Sequence, residues 1–526
     1  MSASTASSIT SSVWTPIRVD LVPFLPSSSP SEVAKLAAVQ ALRQACETDG
    51  LFLLDYKGWL RTRDGLRVAG PAPCFDIGTA SGGAGKSRSS DSPTEKDVAA
   101  ETDDSKEAMD HTCMKACGPI NRRNFPSYPR VLDAIDSFFA LPLQEKEALP
   151  SIHSQGFSRG YIPVLGESGL KGQFIEWKEG FSMGYESADG GDEGSSEGVR
   201  DPSAGSAWFQ RERADVATRR ASSPSPSPQN LLEGPNVWPT SSTALAALRG
   251  GGTGKGGTAF REEMQAFFVD MIALSRALCR ALSLALGREE GWLEEASGEG
   301  GERISLLRAF HYMSSSSLPP SVLPSRALGS SPHTDWGLFT IILQQRQEST
   351  GEEEGDEEEG GLQFRGRPQG ARVGAREEGE EMEWVRVPWV AETLIVNCGD
   401  FLAMLSERLV AEGKARAGRG REGGREGGTE RERRPFHSPV HRVTLSPSRD
   451  RTSLVFFFYP SYDTPMPATG REGLREERRE VGRGGKGHEY NTLRGESEET
   501  RGEGGEASPL TFGEHLARKW AGVKSS

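Results

Sequence analysis

From residue 304 onward the chain is cut into short apolar runs separated by turn residues. The runs fall at 304–312, 337–343, 362–364, 384–388, 393–396, 401–405, 440–445 and 453–459. They are rich in β-branched and aromatic residues, and turn signals such as Asn397-Cys398-Gly399-Asp400 divide them. About eight short strands of this kind predict a closed double-sheet jelly roll. Upstream the period changes. Residues 17–21 alternate like a strand. Ser31-Glu32-Val33 opens a helix with apolar positions Val33, Leu36, Ala37, Leu42 and Ala45, and 51–54 is a short buried strand. Residues 131–139 have helical spacing that Leu141-Pro142 ends. The strongest helix covers 260–286, where Phe267, Met271, Leu274, Leu278 and Leu282 form one stripe suited to packing on a sheet. Residues 510–517 predict a short amphipathic helix. The expected fold class is therefore mainly β with flanking helices, built on a double-stranded β-helix (jelly-roll) core with long insertions.

Composition marks the insertions. The 526 residues include Gly 63 and Pro 32, only 35% are apolar, and the net charge is −13. Much of the glycine and charge sits in biased blocks, and setting these aside removes roughly 200 residues. About 320 residues remain, enough for one good-sized core. The expected division is a disordered N-terminus at 1–15 and an N-terminal α/β region at 16–185 with a disordered insert at 76–108. A low-complexity linker at 186–257 follows, then the jelly-roll domain at 258–468 with inserts at 346–382 and 411–436. A low-complexity stretch at 469–507 precedes a C-terminal helix at 508–526. Long charged loops on a surface cost little.

Charge and cysteines narrow the function classes. A net charge of −13 gives no reason to expect nucleic acid. The Arg/Gly tract at 416–434 alternates with Glu, lacks aromatic residues, and predicts a solvated loop. The six cysteines are scattered and predict no disulfide framework; His111, Cys113 and Cys117 lack a second pair to complete a zinc site. Such usage fits a reducing compartment. No apolar run is long enough for a bilayer, and residues 1–14 lack the apolar core of a secretory signal. The expectation is a cytoplasmic monomer acting on a small molecule, with neither membrane nor nucleic acid as partner.

Candidate chemistry sits inside the strand-rich part. Ser331-Pro332-His333-Thr334-Asp335 runs into an apolar stretch. On a strand, residues i and i+2 share a face, so His333 and Asp335 can aim one imidazole and one carboxylate at a common point. His441 must arrive from another strand. Two imidazoles and a carboxylate are the facial set of non-haem iron(II) oxygenases, leaving open positions for a 2-oxo acid and dioxygen. Arg451 can grip the far carboxylate of 2-oxoglutarate with its forked guanidinium, and Ser453, two residues on, faces the same way. The bland alternative is a buried His333–Asp335 couple, which explains neither His441 nor Arg451-Thr452-Ser453. His437 and Arg449 compete. His437 directly follows the charged insert whereas His441 begins an alternation, and only Arg451 is followed at i+2 by a Ser leading into the strand. Tyr312 can reach the cosubstrate or be an interior aromatic. Asn397 and Asp400 are expected to build a turn.

These segments resemble the isopenicillin-N-synthase-like Fe(II)/2-oxoglutarate dioxygenases. The matching pieces are Leu307-Arg308-Ala309-Phe310-His311-Tyr312, His333-Thr334-Asp335, Asn397-Cys398-Gly399-Asp400, His441-Arg442-Val443 and Arg451-Thr452-Ser453. Upstream, residues 17–56 resemble that family's N-terminal part, and Trp177-Lys178-Glu179-Gly180-Phe181 its motif before the long helix. The resemblance implies Fe(2+) on His333, Asp335 and His441, with 2-oxoglutarate contacted by Arg451, Ser453 and Tyr312. It implies that O2 and 2-oxoglutarate yield succinate and CO2 while a small organic substrate is hydroxylated or desaturated. An iron oxidase of the same fold that ignores 2-oxoglutarate, and a non-catalytic interaction module, are the alternatives. The chain departs from the family pattern in the insert between Asp400 and His441, and in Met313 and a Ser run after Tyr312.

Overall fold

The computed structural model describes residues 14–24, 31–56, 128–149, 152–154, 157–166, 174–185, 236–241, 244, 248, 259–298, 301–345, 360–366, 382–419, 433–467 and 510–524. The expectations for 76–108, for His111, Cys113 and Cys117, and for most of 186–257 and 469–507 lie outside these residues.

Strands near the N-terminus are β1 Arg18–Asp20, β2 Leu51–Asp55, β3 Ile152–Ser154, β4 Phe157–Ile162, β5 Ile175–Glu176 and β6 Lys178–Gly184. Then come β7 Leu306–Tyr312, β8 Ala327–Leu328, β9 Ser330–His333, β10 Phe339–Gln344, β11 Gly361–Gly366 and β12 Glu383–Arg386. The last are β13 Thr393–Cys398, β14 His441–Thr444 and β15 Arg451–Phe458. The main helices are α1 Glu32–Thr48, α2 Tyr128–Phe139, α3 Leu143–Glu147, α4 Ala259–Ala285, α5 Asp400–Arg419 and α6 Phe512–Lys524.

Among the described residues a large sheet has the order β1-β2-β13-β10-β15-β7-β6-β4-β3, and a smaller one the order β12-β11-β14-β9. The two sandwich a core of Phe310, Ile342, Ile395 and Val455 from the large sheet and Leu362, Phe364, Val385 and Val443 from the small one. This is a jelly roll with flanking helices. The outer face of the large sheet is also buried. Ala309, Ile341, Leu454 and Phe456 share a second core with Met271, Leu274 and Leu278 of α4. Burial on both faces explains why β15 reads as an unbroken apolar run, and each fully buried large side chain there contributes about 1.5–3 kcal/mol.

Two expectations are corrected. Residues 401–405 are not a strand but the start of α5. Phe401, Leu402 and Leu405 recur at helical spacing and are buried, and α5 runs on to Arg419, inside the stretch expected as an insert. In α1 the buried positions are Ala38, Leu42, Ala45 and Cys46, while Val33 is 77% and Leu36 57% exposed. At about 100° per residue, Val33 falls opposite Leu42 and Leu36 opposite Ala45. The helix start is as expected: Ser31 Oγ accepts from Ala34 N at 3.1 Å.

The N-terminal strands belong to the large sheet itself. β2 pairs antiparallel with β13, from Leu51 opposite Asn397 to Asp55 opposite Thr393. Gly50, at φ +66°, makes the entry turn; a Cβ there would stand 1.9 Å from the His437 carbonyl oxygen, so glycine is required. Across this seam the Cys46 and Cys398 sulfurs lie 3.5 Å apart. At the far end α6 packs Phe512 on Phe401 and Trp520 on Trp336. Among the described residues no helix is long and apolar enough to cross a membrane.

Candidate active site

The register of the small sheet brings the two histidines together. β14 pairs antiparallel with β9, and His441 sits directly opposite His333, their ring centroids 4.3 Å apart. The strand ends at His333. Asp335 is therefore placed by its loop rather than by strand alternation. Its carbonyl accepts from Asp400 N at 2.8 Å, and its carboxylate from Asn397 Nδ2 at 2.8 Å. Thr334 Oγ1 donates to Asp400 Oδ2 at 2.8 Å, which fastens the loop to the first turn of α5.

Each imidazole is oriented by a backbone carbonyl. His333 Nδ1 lies 2.6 Å from Ser331 O, and His441 Nδ1 lies 3.1 Å from Pro439 O. Donation from Nδ1 leaves Nε2 as the lone-pair nitrogen. The two Nε2 atoms point at Asp335, His333 Nε2 to Oδ1 and His441 Nε2 to Oδ2, both at 3.8 Å. One ligand atom from each of the three residues lies within 4.8 Å of the others.

The electrostatics match this donor set. Burial alone would raise the Asp335 carboxyl, but His441, His333 and hydrogen bonds from Asn397 and Thr340 hold it below the usual carboxylate value. Burial and the neighbouring His441 keep His333 below the ordinary histidine value. The site presents two imidazole nitrogens and one anionic oxygen, which suits a non-haem iron(II) ion. The geometry brings together the three predicted ligand residues. The competitors lie elsewhere: His437 N donates to Cys46 O at the N-terminal seam, and Arg449 N to Ser446 Oγ in the loop before β15.

A second polar cluster sits deeper between the sheets. Arg451 on β15 pairs with Tyr312 on β7, and Ser453 with Phe310. The Arg451 guanidinium lies 4.6 Å from the Tyr312 ring centre and donates to Gln344 Oε1 at 3.3 Å. Ser453 Oγ donates to the Tyr312 hydroxyl at 3.3 Å. Arg451 is 5% exposed, and burial lowers its pKa from the ordinary arginine value. Among the described residues no carboxylate pairs with it. A buried guanidinium beside two hydroxyls suits a carboxylate ligand.

Several residues carry roles that the sequence did not reveal. Asn397 holds the carboxylate of the candidate ligand Asp335, and Asp400 holds the residue before it; the sequence pattern predicts only a turn from both. Strand parity carried the signal for Asn397, which alternates with the buried Ile395 on β13. The buried Glu176–Lys178 pair, at 2.8 Å, ties β6 to the metal-side strand: Glu176 Oε1 accepts from Ser331 N at 2.8 Å. A separate cluster behind the sheet joins Glu179 to Lys146, Tyr161 and His311 at 2.7, 2.7 and 2.9 Å.

Comparison with known proteins agrees with this geometry. Residues 127–204 match the family described as the non-haem dioxygenase in morphine synthesis N-terminal region, and residues 304–460 match the 2OG-Fe(II) oxygenase superfamily. These two stretches are similar to the two parts of the 2-oxoglutarate–iron(II) oxygenases. That family takes Fe(2+), 2-oxoglutarate and O2, and the two clusters fit the ion and the keto acid. Among relatives, the chain is 28% identical over 206 residues to Jasmonate-induced oxygenase 3 of Arabidopsis thaliana, covering 39% of this chain and 41% of the relative. It is 26% identical over 329 residues to the 2-oxoglutarate-Fe(II) type oxidoreductase hxnY of Emericella nidulans, covering 62% of this chain and 65% of the relative. The chain thus spans less than two thirds of the length of these relatives. Among solved structures, a full-length Neurospora crassa protein in complex with alpha-KG is 16% identical, with TM-score 0.45 over 96% of this chain and 95% of that one.

Proposed function

We propose that this protein is an iron(II)- and 2-oxoglutarate-dependent oxygenase of a small organic substrate. His333, Asp335 and His441 hold the iron, and Arg451, Ser453 and Tyr312 bind the far carboxylate of 2-oxoglutarate. In the hydroxylation form one dioxygen is consumed; 2-oxoglutarate becomes succinate and CO2 with one oxygen atom, and the other enters the substrate C–H bond. Desaturation draws on the same site. The bound ion supplies the place where dioxygen and the keto acid react. The protein's own groups do the rest. Asn397 keeps Asp335 ionised and aimed, the Ser331 and Pro439 carbonyls fix which ring nitrogen faces inward, and the apolar walls from Ile342, Val443 and Val455 keep water out.

Three donor atoms converging within 4.8 Å at the mouth of a β-sandwich support this most directly. The proposal includes a cytoplasmic monomer that binds no nucleic acid. The buried, unbridged Cys46, Cys279 and Cys398 and the net charge of −13 are in keeping with it, and light scattering on the eluted protein tests the monomer.

The decisive experiment is anaerobic titration with Fe(II) and 2-oxoglutarate. A metal-to-ligand charge-transfer band should appear in the wild type and vanish in His333→Ala and Asp335→Ala. Oxygen should then produce succinate. A wild type with iron bound but no band and no succinate would be an oxidase that ignores 2-oxoglutarate. One that binds no iron would be a non-catalytic relative. Either result overturns the proposal, and so would iron binding in His441→Ala together with its loss in His437→Ala.

A further inference from the structure

Between the candidate iron site and the C-terminal helix lies a buried cation that the reaction outlined above does not use. Arg308 stands on β7, opposite Val455 of β15 on one side and Ser182 of β6 on the other. Residues 308, 310 and 312 share a face of β7, and Phe310, Tyr312 and Val455 all belong to the core between the sheets. Arg308 therefore projects into that interior, where it is 5% exposed. It is separate from the proposed cosubstrate cluster: it stands four positions before Tyr312, about 13 Å along an extended strand.

Its position relative to the iron ligands follows from the strand order. Thr340, whose side chain hydrogen-bonds Asp335, lies on β10, and β15 alone separates β10 from β7. Two strand spacings put Arg308 about 10 Å across the sheet from that strand. Its guanidinium lies over the Trp520 ring of α6 at 4.8 Å, and Trp520 in turn meets Trp336, the neighbour of Asp335, at 5.4 Å. Asp335, Trp336, Trp520 and Arg308 thus form one continuous line from the candidate iron site to β7. The Tyr459 phenol reports the same proximity, because besides burial, which raises its pKa, it feels the opposing charges of Arg308 and Asp335.

A second polar group points the same way. Ser182 is 0% exposed and sits on the face of β6 opposite Phe181 and Met183, which pack outward against the helices. Its hydroxyl makes no hydrogen bond among the described residues. A forked guanidinium with a hydroxyl beside it on the next strand is the donor arrangement a carboxylate takes, and two indoles offer flat apolar cover for what the carboxylate is attached to.

We propose that Arg308, assisted by Ser182, anchors the substrate, and that the substrate is a small monocarboxylate whose apolar or ring-bearing body rests against Trp336 and Trp520 with its far end toward the iron ligands. This rests on the oxygenase reading for its catalytic meaning, but the anchor is testable without it.

The probes are a panel of ring-bearing monocarboxylic acids, each matched with its primary amide. Each is titrated calorimetrically into the full-length protein, first metal-free and then with Fe(II) and 2-oxoglutarate under anaerobic conditions. Acids should bind and their amides should bind about a hundredfold more weakly, the scale of one charge-assisted contact. Arg308→Gln should weaken the acid by a similar factor, Arg308→Lys should recover part of it, and 2-oxoglutarate affinity should stay within about twofold because Arg451 is untouched. Ser182→Ala should cost about fivefold, one neutral hydrogen bond. The inference is overturned if no acid in the panel binds the wild type, if amides match acids, or if Arg308→Gln binds the acid as the wild type does. Acid binding that persists in a protein lacking the iron–2-oxoglutarate band would sink the oxygenase reading and leave the anchor standing.

Discussion

At the scale of single residues, the site depends on groups that touch no ligand of their own. Asn397 places one hydrogen bond on Asp335, and in a chamber with little water that bond both lowers the carboxylate pKa and fixes its direction. Asn397→Ala should weaken iron binding about ten- to a hundredfold, as measured by competition with a chelator, with little change in the unfolding midpoint. An unchanged iron affinity would mean that Thr340 and the Asp400 backbone suffice. Arg451→Ala should raise the 2-oxoglutarate concentration needed for half-maximal succinate formation about a hundredfold while leaving iron affinity alone. The convergence of His333, Asp335 and His441 was legible in the sequence because their side-chain chemistry is rare in combination. Asn397 and Glu176 were not, because an amide or carboxylate that serves another side chain looks like any turn or loop residue until the partner's position is known.

At the scale of elements, α6 illustrates how burial turns a surface-type helix into a pH-sensitive one. His515 on α6 is 9% exposed, and burial, then Lys519 and Arg518, push its pKa down from 6.5 to about 4. Its folded-state value lies below its unfolded value, so the unfolded chain takes up the proton first as pH falls. The contribution is intact above about pH 6.5 and is lost progressively between there and about pH 4. Urea midpoints should fall from pH 7 to pH 5, and His515→Leu should reduce that fall; an equal fall in the variant would clear His515 of responsibility. At the other end of the chain, Ser31→Ala should cost about 1 kcal/mol through loss of the α1 cap. Pattern reading succeeded where the period was unambiguous, as in α4 and β15. It failed at 401–405, where five apolar-rich residues fit either period and only the downstream Leu409 and the packing of Phe401 on Phe512 settle the matter.

At the scale of the whole molecule, the jelly roll was legible because strand-sized runs and turn residues alternate through its length, whereas sheet order was not, since neighbours such as β2 and β13 lie far apart in sequence. One long segment interrupting the roll leaves from positions that are already close. Gly366 and Glu383 face each other in the β11–β12 ladder. Replacing 367–382 with Asn-Gly should therefore close a tight hairpin. By loop-closure entropy the change should be stabilising by about 2 kcal/mol or less, read as a modest rise in melting temperature with iron and 2-oxoglutarate affinity unchanged. A drop in melting temperature would show that the replaced segment packs on the roll. The β2–β13 ladder has a practical consequence for anyone trimming this protein. A fragment beginning near residue 258 would carry every residue proposed for iron and keto acid, yet it would leave the amides and carbonyls of 393–397 facing solvent along an uncovered, apolar border. Such fragments should stick to one another and lose their grip on Asp335 through Asn397, so inactivity in a shortened clone would speak of a torn sheet rather than of missing chemistry.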